Sequence, residues 1–110
     1  MTSLYCDFSK EQIEQHLKKL HSLIHWLLIY KDSKDSVLNT YFPSVQYKLA
    51  GYNSLFMNPP EMVELMGLIE SANLEYQKGD ACDDALYRRT ILDAHALIDK
   101  IGIRLKGGTP

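Results

Sequence analysis

The chain has 110 residues, 45% hydrophobic and 24% charged, with a formal net charge of −2. That length holds one domain rather than two and buries roughly two thirds of the unfolded surface, so folding requires neither a disulfide nor a metal. A slightly acidic balance argues against a nucleic-acid binder working by bulk charge, because such domains are clearly basic.

Cys6 and Cys82 stand far apart and form no CxxC motif, which reads as two reduced thiols in a cytoplasmic protein. The first ten residues lack a basic segment followed by an apolar one, so no secretory signal is read there. The longest nearly apolar run, Leu23 to Tyr30, is far short of the roughly 20 residues that cross a bilayer, and no membrane association is expected.

In chain order, the first helix begins at Ser9, with Gln12 completing a capping box and Phe8 and Ile13 placed as a hydrophobic staple. Ile13, Leu17, Leu20, Ile24 and Leu27 recur at spacings of four and three, which makes one apolar stripe. Leu23, Trp26, Ile29 and Tyr30 add apolar residues on the remaining sides. A helix apolar all round is buried by its own chain or by another copy, so self-association, most simply as a dimer, is expected.

Between Ser36 and Met57 the punctuation points to an irregular connection. Pro43 lacks an amide donor and restricts the residue before it, and Gly51 favours a stop. A short helix over 37–42 and another over 44–50 are expected on either side of Pro43. The third helix opens with Asn58 as cap, Pro59 in the first position and Glu61 closing a capping box. Met62, Leu65, Met66, Ile69, Ala72 and Tyr76 form its apolar face, and Gly79 is placed to end it. The fourth opens in the acidic run Asp80, Asp83 and Asp84, which suits the positive end of a helix dipole. Tyr87, Ile91, Ala94, Ile98, Ile101 and Leu105 make its stripe, with Gly102 weakening the last turn. The expected fold is all-α: a small antiparallel bundle of about four helices in one domain, residues 1–105, followed by a tail, residues 106–110. An irregular, aromatic-rich connection is expected between the first and third helices.

Arg88 and His95 are seven apart on one face of the fourth helix. An arginine that polarises a phosphodiester beside a histidine that moves a proton makes a nuclease pair. The spacing resembles the motif of HEPN-type ribonucleases, an arginine and a histidine with four to six residues between them. Those enzymes are also small helical bundles and usually dimers; Arg89 stands where they often carry a polar residue. The resemblance covers Arg88 to His95 and the fold class, and it implies catalytic roles for those two residues. The competing reading is a solvated face with Asp84–Arg88 and His95–Asp99 pairs.

His21 and His25, four apart on the first helix, supply two metal ligands, with no carboxylate within one turn of both; they read as flanking histidines on a core helix, and no metal or cofactor is expected. The most unusual composition lies between Thr40 and Pro60, where Tyr41, Phe42, Tyr47, Tyr52 and Phe56 accompany a single charge, Lys48. Aromatic residues are enriched at interfaces. The expected function is therefore a non-enzymatic module that binds another macromolecule, a protein, through these five aromatics. The ribonuclease is the first alternative. A small-ligand sensor with a pocket lined by Tyr41, Tyr47 and Tyr52 is the second.

Overall fold

Ser9 opens α1 (Lys10–Asp32) through the expected reciprocal cap: its hydroxyl accepts from the Gln12 amide at 3.2 Å, and Gln12 Oε1 accepts from the Ser9 amide at 2.9 Å. The computed structural model describes residues 8–108; Cys6 lies outside them. Among the described residues α1 is followed by α2 (Leu38–Leu55), α3 (Pro60–Tyr76) and α4 (Asp84–Leu105), with a 3-10 turn, Gly79–Ala81, before α4. Phe8 packs its ring 5.0 Å from His16 and 6.3 Å from Phe56.

Each helix contributes one stripe to a common core. From α1 come Ile13, Leu17, Leu20, Ile24, Leu27 and Leu28; from α4 come Tyr87, Ile91, Ala94, Leu97, Ile98, Ile101 and Leu105. α1 packs against α2 and α4, and α3 packs against the same two, so consecutive helices are neighbours around the bundle. The ring of apolar residues at the end of α1 is divided. Leu23 and Tyr30 are half-buried, whereas Trp26 is 42% and Ile29 37% exposed.

The segment expected to be irregular is instead one 18-residue helix, with Pro43 inside it. Leu38, Phe42, Val45, Leu49 and Phe56 are all buried, at spacings that keep one face of a helix toward the core. That burial outweighs the hydrogen bond lost at Pro43. Pro43 and Asn39, the residue four earlier whose carbonyl loses its donor, both lie on the exposed face, where water can take the missing donor's place. Gly51 also lies within α2 rather than at its end.

α3 departs from its expected start. Pro59 occupies the cap and Pro60 the first turn, with no side-chain cap. Asn58 adopts φ +62° and its side-chain oxygen accepts from Asn53. Glu61 is buried and binds Arg104 Nε, one oxygen at 2.8 Å and the other closer, because a guanidinium offers a carboxylate a stronger partner than a backbone amide. α3 ends at Tyr76, three residues before Gly79, which takes φ +61° in the following turn. Glu75 there accepts from Lys78 Nζ and from the Asp83 amide, both at 2.7 Å, and these two bonds hold its carboxyl below the ordinary range.

Asp83 then caps α4 by accepting from Leu86 N. Gly102 is buried, and a Cβ there would fall 2.5 Å from Leu17 Cδ1, so the missing side chain lets α1 and α4 approach. Lys106 to Gly108, read from sequence as the start of a tail, form a capping turn: Gly107 has φ +89°, and the Gly107 and Gly108 amides donate to Arg104 and Ile103 carbonyls.

Ile24 is fully buried, so Ile24→Ala is expected to cost about 2–5 kcal/mol of stability. Ser9→Ala is expected to cost about 1 kcal/mol. Urea melts of both variants check the register: Ile24→Ala melting like the parent means the stripe is misassigned.

Candidate functional site

The five expected binding aromatics do not form one surface. Phe42 and Phe56 belong to the core, 1% and 0% exposed, and present nothing to a partner. Phe42 lies between Tyr76 and Tyr87, with ring separations of 5.8 and 6.3 Å. Tyr41 is half-buried. Its hydroxyl donates to the Leu23 carbonyl at 2.7 Å, and burial pushes its phenol up to about 12. Tyr52 lies against His16 and Phe56, and Tyr47 stands 83% exposed. Tyr41, Tyr47 and Tyr52 therefore do not line one pocket: Tyr41 and Tyr52, eleven residues apart, share a face of the now continuous α2 but stand about 16 Å apart along it, and Tyr47 lies on another face.

What the structure does build is a groove of about 570 Å3 between α1 and α2, lined by His16, Lys19, Leu23, Lys48, Gly51, Tyr52 and Leu55. Its floor is apolar and its charged groups are basic; among the described residues neither Lys19 nor Lys48 makes an ion pair. α2 carries no acidic residue to balance them. Gly51 keeps the groove open, since nothing lies within 4 Å of where its Cβ would stand. His16 Nδ1 is buried without a hydrogen-bond partner. Burial, then the charge of Lys19, lowers that ring's pKa. One turn beyond Leu23 on the same stripe of α1 stands Trp26, and one turn before Gly51 on α2 stands Tyr47, so exposed aromatic area continues outside the groove. Of the groove residues only Tyr52 was marked by composition. The others needed α2 to be recognised as one helix packed along α1.

On its other flank α1 meets α4 in a polar seam. The acids expected to pair along α4 reach across instead: Asp84 binds Lys31 at 2.6 Å, and Asp99 binds His21 Nε2 at 3.0 Å. Arg88 binds Asp32 at 3.3 Å, and Lys106 binds Glu14. Cross-helix pairs prevail because the antiparallel register brings opposite charges together at the edge of a buried interface, whereas pairs within one helix add only a few tenths of a kcal/mol. His95 Nδ1 lies 2.8 Å from His21 Nδ1, with the rings edge to edge in nearly one plane, and the His25 ring is 6.2 Å from His95.

Arg88 and His95 are not brought together within the chain; seven helical residues set them about 10 Å apart along α4. Among the described residues no group of three or more His, Cys, Asp or Glu is arranged to hold a metal ion. Nor is any helix there long and apolar enough to cross a membrane. Cys82 is a half-buried free thiol whose pKa burial raises against the pull of Lys31, the opposite of an activated nucleophile. Comparisons with protein-family models, with curated proteins and with solved structures find no match to this chain.

Tyr47 is so exposed that Tyr47→Ala is expected to shift stability by no more than about 0.5 kcal/mol. Tyr52→Ala, which removes a ring packed on His16 and Phe56, is expected to cost about 1–3 kcal/mol. Thermal or urea melts separate the two, and a Tyr47→Ala protein that unfolds readily contradicts the described exposure.

Proposed function

We propose that the chain is a non-enzymatic binding module whose α1–α2 groove receives an acidic, amphipathic segment of a partner protein. The observation that carries the reading is the pairing of an apolar floor, Leu23, Tyr52 and Leu55, with two lysines that no carboxylate among the described residues neutralises, in a chain whose net charge is −2. An apolar anchor fills such a groove while acidic groups beside it meet Lys19 and Lys48, which sets orientation and excludes basic competitors. Trp26 and Tyr47 extend the contact to the length of a peptide rather than of a small molecule. The reading carries with it a reducing, cytoplasmic setting, in which Cys82 stays a thiol.

The test uses a fluorescein-labelled helical peptide with leucine and glutamate on one face, and its twin with lysine in place of glutamate. The acidic peptide is expected to bind with an affinity that falls as salt is raised. Gly51→Leu fills the groove while adding a better helix former, so binding is expected to drop at least tenfold with stability kept or increased by about 1 kcal/mol. Lys19→Glu with Lys48→Glu is expected to weaken binding to a similar degree. Equal binding of both peptides, or indifference to both sets of substitutions, overturns the reading. Cleavage of single-stranded RNA that is lost in Arg88→Ala/His95→Ala puts the ribonuclease in its place.

Self-association is a second reading, favoured by the exposure of Trp26 and Ile29 on one helix. Light scattering at micromolar concentration is expected to give a dimer mass that Trp26→Glu/Ile29→Glu reduces to a monomer. A monomer mass for the unmodified chain ends this reading and leaves the groove untouched.

A further inference from the structure

Two histidines and an aspartate from opposite ends of the chain meet in the α1–α4 seam, and their spacing dictates where the protons lie. The Asp99 carboxylate can only accept, so His21, 3.0 Å away, donates to it from Nε2. A neutral His21 therefore carries a bare Nδ1. His95, whose Nδ1 stands 2.8 Å from that atom, completes the contact by donating its own Nδ1–H, which leaves His95 Nε2 as an acceptor. The result is a directed chain, Asp99 to His21 to His95, with one hydrogen in each link.

We infer that this chain is a proton-operated latch, holding α1 to α4 while the two Nδ1 atoms share a single hydrogen and releasing them when each carries its own. The first added proton goes to His95 Nε2 and leaves the Nδ1–H···Nδ1 link intact. The second has only His21 Nδ1 to occupy, the accepting atom. Two N–H groups then face each other across a hydrogen-bond distance, between two cationic rings set edge to edge in nearly one plane, 5.0 Å between centroids. One turn from His21, Leu17 packs into the space left by Gly102, so α1 and α4 are in close contact beside the histidine pair.

The surrounding charges favour release on acidification. His21 and His25, both from α1, face His95 and disfavour a charge on it, while Asp99, on α4 itself, favours one. α3 is the other helix packed on α4, and none of the charges that shift His95 comes from it. Lys31–Asp84 and Arg88–Asp32 close the seam toward one end and Glu14–Lys106 toward the other. Burial, then His21 and His25, hold the His95 ring below its ordinary 6.5. A ring so depressed binds its proton more readily in the unfolded chain. Its contribution is therefore kept at neutral pH and lost as pH falls below about 6.5, by up to about tenfold in the unfolding constant per pH unit for each proton taken up. Because the rings interact, the protons arrive in two coupled steps.

Nitrogen-15 imidazole spectra of the full chain at pH 7.5 are expected to show His21 protonated on Nε2 and His95 on Nδ1. The opposite tautomer at either ring overturns the latch without any substitution. Urea melts between pH 7.5 and 5.0 are expected to show stability falling with acid. His95→Gln is expected to remove one part of that dependence, His21→Gln a smaller share of the same part because burial still depresses His95, and the double variant no more than His95→Gln. His16→Gln, the control at a separately depressed histidine, is expected to leave that part in place. Losses that add in the double variant mean two independent titrations and no latch.

Discussion

Each helix has a single continuous stripe of apolar residues, and the only arrangement that buries all four stripes sets them against one another. The stripe of α2 is the decisive one. Leu38, Phe42, Val45, Leu49 and Phe56 reach zero or near-zero exposure only if the chain stays helical through Pro43 and Gly51. Burying one such side chain is worth about 1.5–3 kcal/mol. A proline inside a helix costs about 3 kcal/mol, and less where the freed carbonyl meets water. Five buried side chains outweigh one proline, and the continuity of α2 follows. Without that continuity there is no second wall for α1 and hence no groove.

α1 is shared between two unlike interfaces, and the difference lies in what its neighbours carry. α4 brings Asp84, Asp99, Arg88 and Lys106 to its side of the seam, where each finds an opposite or complementary group on α1. Ion pairs so exposed contribute little energy singly. Their use is in register: Glu14 with Lys106, His21 with Asp99 and Asp32 with Arg88 keep one antiparallel alignment over the length of both helices. α2 brings one lysine and no acid. The charges of α1 that face it accumulate rather than cancel, and a groove of one sign on a weakly acidic protein is the consequence.

The buried polar groups concentrate where helices end. Glu61 ties the start of α3 to Arg104 at the end of α4, and Glu75 gathers Lys78 and the Asp83 amide at the turn between those helices. A buried carboxylate is tolerated only when fully engaged, so these sites fix how the connection folds more than how strongly the bundle holds. Tyr87 does the same inside the core: its hydroxyl donates to the Leu27 carbonyl at 2.8 Å, and burial pushes its phenol well above the ordinary range.

The sequence by itself determined the helical class, the cap at Ser9, the register of α1 and the stripe of α4, because each rests on residues within one or two turns of one another. It also held the stripe of α2, at the same spacings of three and four, but the local rules for proline and glycine argued the other way. Only the energy of a completed core decides between them. The partners of the charged residues lay beyond sequence for a different reason. Asp84 and Arg88, like His95 and Asp99, stand at the spacing of helical neighbours, yet the side chains they bond to come from a helix more than fifty residues away. The groove and the histidine chain belong to the same class. Each is made of residues ordinary in their own helices, and their chemistry arises when packing places Lys19 near Lys48, and His21 against His95.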